Sequence, residues 1–462
     1  MPKFYEKFVK TRTQSAAKDK AKSRLNDSKA AGKIKDFTHT KHDDSAPFYE
    51  ADSKPDARFV SYTPMFDGNK LTRESRAILE DFDKIIQAAR PLNSRQLLNL
   101  PKDIRLLSHE LTDERDERRL GYMNSREMLS AYARYFLWWN LVRLTRVFAN
   151  IGHKELSLAD GAVCLDIGSG PLTLPVALWI VVPELRNVHL TWYCMDISQG
   201  ALTLGEDLYL SVAAKLRPSN PNALPHWNII RVKGGFGTPI KEKADFIFSA
   251  NTFNEVLQDA KQNAETEAQQ KVQGLLAYAK SGAAFFFAEP GTPPAANFIS
   301  LLRKNFIAHD YGAVSPCPHQ EACPMQGTNA HRGGREKWCN FAFGTEDAPR
   351  RLLKLSEAAG IPKERAVLSW LFLKKNIEPQ AAVKATKNAG ARLLEMRITS
   401  DEIKLPGGRT GFYACTEYGL ALAVDRSRRG FANGGKLVIE LLTKPENLKR
   451  DKKSGAKEIV IM

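Results

Sequence analysis

The sequence predicts an α/β protein built on an open, doubly wound parallel sheet, preceded by a helical region and followed by a small β-rich element. Three observations carry this. Short apolar runs alternate with helical segments beyond Leu156, the pattern of strand–crossover–strand units. The first run ends in a glycine-rich turn, Asp166-Ile-Gly-Ser-Gly170, just before a new helix. Ahead of the runs, residues 71 to 151 carry apolar side chains at helix spacing.

Taken in order, residues 1–45 lack an apolar period and are rich in Lys, Ala, Ser and Asp, which reads as a basic disordered arm. Residues 46–155 form a helical N-terminal region, with SRAILEDFDKIIQAAR, SRQLLNLPKDIRLLSHEL and SREMLSAYARYFLWWNLVRLTRVFANI as its helices. Tyr132, Phe136, Trp139, Leu141 and Leu144 in the last read as a packed helix face instead of a base-stacking platform. Residues 156–400 hold the strands AVCLDI, HLTWYCMDI, WNIIRV, ADFIFSA and AAFFFAEP, then a loop-like insertion at 310–349, a helix near 350–359, and two further strands, AVLSWLFLKK and ARLLEMRI. Residues 401–462 read as a β-rich C-terminal element with a basic tail. No internal repeat is present.

A hydrophobic content of 43% with 26% charged residues is that of a folded, soluble protein. The best apolar run, Leu174 to Val182, falls short of the roughly 20 residues of a spanning helix. The opening MPKFYEKFVK contains Glu6 and no continuous apolar stretch, so it reads as neither a secretory signal nor a transit peptide. These features predict a bacterial cytoplasmic protein, without membrane partners and monomeric when free. The formal charge of +16 gathers at the ends. Twelve Lys or Arg from Lys3 to Lys41 face six acids in residues 1–44, and Lys449, Arg450, Lys452 and Lys453 follow in the tail. Such segments bind polyanions by releasing counterions.

The turn after the first strand is informative through its position. A glycine-rich turn between strand and helix lets backbone amides approach a ligand in the crevice where open α/β sheets bind. Asp166, Gly168, Ser169 and Gly170 would line that crevice. Asp196 closes the second strand 30 residues on, where an acid accepts ribose hydroxyls. The dinucleotide fingerprint needs a third glycine, whereas Leu172 and Thr173 follow here. The Asp-x-Gly-x-Gly form instead resembles motif I of class I methyltransferases, which use S-adenosylmethionine. That family often has a glycine where Leu172 stands, and this side chain would narrow the space near the methionine moiety. Ser249, Asn251 and Asn254, around the end of the fourth strand, are candidates to face the methyl group. No Asn-Pro-Pro-Tyr type motif and no evident general base follow, so no catalytic residue is assigned.

Six cysteines occur. Cys164 and Cys194 lie inside apolar strands and read as packing. Cys317, Cys323, Cys339 and Cys415 stand apart, three of them in the loop-like insertion. In a reducing compartment such thiols favour metal over disulfide, and a long loop needs something to hold it. Four thiolates suit either zinc or a [4Fe–4S] cluster, and the missing C-x2-C knuckles lean toward the cluster. His319 and His331 read as ordinary loop histidines, although either is a conceivable zinc ligand.

The combination of Asp166-Ile-Gly-Ser-Gly170, Glu289-Pro-Gly-Thr-Pro293, Pro316-Cys-Pro-His319 with Cys323-Pro324, Trp338-Cys-Asn-Phe341 and Cys415-Thr-Glu417 resembles the methyltransferase-like proteins of small-ribosomal-subunit assembly in mitochondria and bacteria. The resemblance covers roughly residues 120–425. It implies a [4Fe–4S] cluster on Cys317, Cys323, Cys339 and Cys415, binding to small-subunit rRNA and the small ribosomal subunit, and a mitochondrial matrix location in a eukaryote. Two readings follow: an assembly factor that uses the fold as an RNA platform, or an active S-adenosylmethionine-dependent rRNA methyltransferase, the latter also compatible with a structural zinc site. A radical enzyme on the same cofactors would need a tight three-cysteine loop, which is absent.

Overall fold

The first strand among the described residues was not expected. In the computed structural model, which describes residues 54–112, 123, 125–217, 227–253, 263–328, 336–375 and 392–462, strand β1 (Ala57–Thr63) precedes all the helices of the N-terminal region. The arm at 1–45, Asn254 and His331 lie outside the described residues. Helices α1 (Arg73–Glu80), α2 (Phe82–Ala89) and α3 (Ser94–Thr112) follow, and the Thr72 side chain caps α1 by accepting the Ser75 N–H. This matches the preference for Thr at helix starts. Helix α4 (Arg126–Ala131) runs through a π-helical stretch, Tyr132–Leu137, into α5 (Trp138–Asn150). Trp139, Leu141 and Leu144 of the aromatic-rich face are buried in the core, with Tyr132 and Phe136 packed against it.

A short helix, α6 (His153–Leu156), leads to the central sheet. Its strands are β2 (Ala162–Ile167), β3 (Leu190–Asp196), β4 (Asn228–Lys233), β5 (Ala244–Ala250), β6 (Ala279–Pro290), β7 (Tyr311–Ser315), β8 (Phe341–Gly344) and β9 (Arg365–Lys375). They lie in the order β4-β3-β2-β5-β6-β9-β7, with β8 beside β9. The five strands from β4 to β6 are parallel, whereas β9 runs antiparallel to β6, β7 and β8. The insertion is therefore not structureless: β7 and β8 anchor both its ends to β9.

Strand β2 is buried at all six positions, as a strand covered on both faces must be. Val163, Leu165 and Ile167 enter one core, while Cys164 enters the other, following the two-residue alternation of a strand. Cys164 and Cys194 have no exposed surface, and burial pushes both thiols well above the usual range. Helices α7 (Thr173–Val181) and α8 (Gln199–Lys215) cover that second face; α9 (Ala264–Tyr278) and α10 (Pro293–Ile307) cover the first. Every residue of α7 is buried, so its continuous apolar run reflects a helix packed on all sides. Helix α11 (Arg350–Ala358) packs on the N-terminal helices. No helix among the described residues is long and apolar enough to cross a membrane.

The C-terminal part is larger than the sequence suggests. Strands β10 (Arg392–Ile398), β11 (Ile403–Leu405), β12 (Arg409–Thr416), β13 (Gly419–Asp425), β14 (Lys436–Leu441) and β15 (Lys457–Ile461) form a second sheet together with β1. The order is β10-β14-β1-β15-β13-β12-β11, and β10 also pairs with β12, closing a six-stranded ring. ARLLEMRI, read as a further strand of the first sheet, belongs here as β10, because its register partners are β14 and β12. The barrel interior is filled by Leu394, Met396, Phe412, Phe431, Leu437 and Ile439, among others.

Candidate functional site

The carboxyl ends of β2, β3 and β5 converge. Strand β2 lies between the other two, and the chain leaves it for β3 on one side before returning to β5 on the other. This is the topological switch point at which open α/β sheets bind ligands. After β2 the backbone turns through Gly168 at φ +67° and Gly170 at φ +51°, conformations open to glycine at no steric cost. A Cβ on Gly168 would stand 2.1 Å from Thr252 Oγ1, so the turn and the segment after β5 fit only with a hydrogen there.

Leu172 also takes a left-handed conformation, at φ +55°. Its side chain has no exposed surface and lies against Gly205 of α8, where an added Cβ would be 2.6 Å from Leu172 Cδ1. The expected narrowing of the pocket is replaced by packing between α7 and α8, because the left-handed turn carries the side chain into the core.

Asp166 is 1% exposed. Its Oδ2 accepts the Ser169 hydroxyl at 2.6 Å, while Oδ1 is buried without a partner. Burial pushes its carboxyl up to about 8; the Ser169 hydrogen bond works the other way, and the Asp196 charge adds to the rise. Asp196 accepts the Gly170 N–H on Oδ2 at 2.9 Å and the Ser198 N–H on Oδ1 at 2.8 Å. Each oxygen keeps a second lone pair for a ligand. Ser249 is fully buried with its Oγ unpartnered, and Asn251 caps β5 at φ +57° with its N–H on Ala288 O. Glu289, 1% exposed at the end of β6, accepts the N–H groups of Thr252 and Phe253 and so shapes the edge opposite Asp166.

Two contributors were not anticipated. Glu289 was noted only as part of a motif, and nothing in its neighbours revealed that its carboxylate reaches back to β5. Met123 arrives from the N-terminal region; its carbonyl accepts the Ser198 hydroxyl, and its Cε lies 4.0 Å from the Cβ position of Gly170.

The Asp166 environment makes a pH prediction. Its folded value of about 8 lies above the roughly 3.9 of an unfolded chain, so folding favours the protonated form. That contribution is complete below about pH 4 and is lost as pH rises through about 8, at no more than about 1.4 kcal/mol per pH unit. Urea unfolding between about pH 5 and pH 8 is expected to show the native chain losing stability relative to Asp166→Asn. Parallel curves for the two proteins would contradict this assignment.

The cysteines lie where the insertion meets the barrel. Cys317 follows β7, Cys339 precedes β8 and Cys415 sits on β12. Cys415 Sγ and His319 Nε2 share a hydrogen bond of 3.0 Å, and His319 Nδ1 is buried without a partner. Burial raises the Cys339 thiol most, and the thiols of Cys323, Cys317 and Cys415 add to the rise. All four therefore share one electrostatic neighbourhood. Among the described residues, no group of three or more His, Cys, Asp or Glu side chains stands close enough together to enclose a metal ion. The surrounding chain is held by side chains bonding to its backbone. The buried Arg303 donates to His319 O and Glu321 O, Arg397 to Pro316 O, Ser369 to Cys339 O and Trp338 Nε1 to Gly291 O. The charges of Arg303 and Arg397, beside the cysteines, work against the rise that burial gives the Cys317 thiol.

The seven-strand path, with its antiparallel edge pair, and the glycine turn at its switch point define a class I methyltransferase-like α/β protein. Residues 126–400 match the family model described as mitochondrial small ribosomal subunit Rsm22, and the chain belongs to that family. Comparison with curated proteins gave no match. Similar solved structures include a precorrin-6y C5,15-methyltransferase from Geobacter metallireducens (12% identity, 48% of this chain and 83% of that one, TM-score 0.27). A methyltransferase from Pyrococcus furiosus is similar at 12% identity, over 49% and 80% of the chains, with a TM-score of 0.25. A methyltransferase from Geobacter sulfurreducens in complex with S-adenosyl-L-homocysteine is similar at 14% identity, over 52% and 90%, with a TM-score of 0.26.

Proposed function

We propose that this chain is a small-ribosomal-subunit assembly factor that binds rRNA, acting in the matrix if mitochondrial and in the cytoplasm if bacterial. The observation that carries the reading is the family match over residues 126–400, which spans both the glycine turn and three of the four cysteines. In this reading Asp166, Gly168, Ser169, Gly170, Asp196 and Asn251 hold S-adenosylmethionine. The unpartnered Asp166 Oδ1 and the remaining lone pairs of Asp196 fit a ligand that brings hydrogen-bonding groups such as ribose hydroxyls. When bound, this cofactor supplies an electrophilic methyl group. Among the described residues no side chain at the crevice is assigned as a general base, and the reading does not require methyl transfer for assembly.

Cys317, Cys323, Cys339 and Cys415 would hold a [4Fe–4S] cluster that clamps the insertion to the barrel. The thiols' shared neighbourhood supports this. The basic segment at 1–44 would add affinity without selectivity, because lysines meet phosphates before base edges. Deleting it should weaken binding to every RNA and flatten the salt dependence; a loss confined to one rRNA site would contradict this role. The overall reading is tested by complementing depleted cells with Asp166→Ala or Cys323→Ser and measuring mature small subunits and rRNA methylation. Asp166→Ala should impair cofactor binding more than assembly, and Cys323→Ser should impair assembly severely. Loss of a specific rRNA methyl group in Asp166→Ala, with assembly intact in Cys323→Ser, would overturn the proposal.

A further inference from the structure

We infer that the C-terminal barrel binds single-stranded RNA in a groove between its β12–β13 face and the cysteine loop. This rests on the rRNA-binding reading above and assigns it a site. Setting β1 and the short β11 aside, the remaining strands connect as a five-stranded Greek key. In it β10 pairs with β12, β12 with β13, β13 in parallel with β15, and β10 with β14. Strand β1 is inserted between β14 and β15. This is the connectivity of an OB-fold, whose second and third strands and whose connection from fourth to fifth strand form the oligonucleotide-binding face. Here those parts are β12, β13 and residues 442–456.

Connectivity alone does not assign function, but the chemistry of this face agrees with it. Residues 442–456 carry five bases (Lys444, Lys449, Arg450, Lys452, Lys453) against two acids (Glu446, Asp451), an excess of three positive charges, and all five bases are exposed. Between this connection and the cysteine loop lies a groove of about 570 Å³. Leu420 of β13 lines it on one side, with Lys453 and Ser454 from the connection and Cys323, Gln326, Thr328, Glu336 and Lys337 from the cysteine loop. Tyr413, on the same barrel face as Leu420, lies beneath Lys337, whose Nζ is 4.6 Å from the ring centroid.

Leu420 and Pro324 beside two lysines, two hydroxyls and an amide, with one carboxylate, Glu336, at the edge, suit an unpaired nucleotide, which offers a flat base, a phosphate and polar edges together. A duplex keeps its bases stacked inside and meets proteins through its backbone and shallow groove. The OB-fold scale of about 4–16 nucleotides sets the probe length.

The test uses the full chain and a fluorescent single-stranded oligoribonucleotide of about twelve residues containing 4-thiouridine, beside a duplex of the same sequence. Lys452 and Lys453 are exposed, so the double variant Lys452→Glu/Lys453→Glu should fold normally, as circular dichroism will verify. It should bind the single strand at least about tenfold more weakly, with much less change for the duplex. Crosslinks in the native chain should fall on peptides containing Gln326, Leu420 or Lys453. Unchanged single-strand affinity in the variant, or crosslinks confined to other surfaces, would overturn the inference. If the native chain binds duplex rRNA but no single strand, the groove assignment fails while the rRNA reading stands. If it binds no RNA at all, both fail.

Discussion

Replacing Cys415 by Ser is expected to release the cysteine loop from the barrel and to abolish small-subunit assembly. Cys415 is the ligand candidate supplied by the barrel, and it sits on β12 opposite Leu420 in the register with β13. The others lie between β7 and β8, nearly eighty residues earlier in the case of Cys339. Serine removes the sulfur that meets His319 and takes a quarter of the proposed cluster's ligands. Purified anaerobically, the native chain should hold iron and sulfide near about four each, as a [4Fe–4S] group requires, and Cys415→Ser should hold far less. Proteolysis should then cut the variant within residues 316–328 under conditions that spare the native chain. One zinc per native chain would replace the cluster by a zinc site, and unchanged protease resistance would remove the clamp altogether.

The second large effect concerns β1. A chain beginning at Lys54 should fold, whereas one beginning at Pro64 should lose its barrel. Strand β1 fills the gap between β14 and β15, pairing with β14 from Ala57↔Leu441 to Thr63↔Lys436. Asp56 reinforces this, with Oδ1 accepting the Thr443 hydroxyl and Oδ2 the Val460 N–H. Removing the strand leaves two unpaired edges, uncovers part of the Leu437 and Ile439 core, and strips Phe59 and Tyr62 from Phe431. The expected loss is several kcal/mol, comparable with the whole stability of a small domain at about 5–15 kcal/mol. Hydrogen exchange should show residues 392–461 unprotected in the shorter chain, with strands β2 to β6 still protected because none of them pairs with β1. Protection of the barrel in that chain would contradict the closed-ring account.

What could be read from the sequence follows from the range of the interactions involved. The strands β2, β3, β5 and β6 announce themselves because they are largely buried and each is followed by a helical segment, whereas the exposed edge strand β4 leads to β5 without one. The glycine turn is equally legible, since Gly168 and Gly170 occupy the junction of strand and helix. Strand β1 is not legible: ARFVSYT is short, and its partners lie almost 380 residues away, so no local pattern marks it. The same limit misplaced β10, whose apolar alternation suits either sheet until register with β14 decides. Leu172 could be identified as an unusual residue in the turn, but the direction of its side chain depends on a backbone angle that sequence does not specify. Cys415 could be grouped with the other three by residue type alone, whereas its contact with His319 depends on how the barrel docks against the insertion.

The central claim is that this chain acts on the small ribosomal subunit through its RNA. The most direct measurement is ultraviolet crosslinking in living cells, followed by purification of the chain and sequencing of the attached RNA. Small-subunit rRNA, mainly from incompletely assembled particles, should be enriched, and the enrichment should persist in Asp166→Ala. Recovery of large-subunit rRNA alone, or of no rRNA above background, would contradict the account.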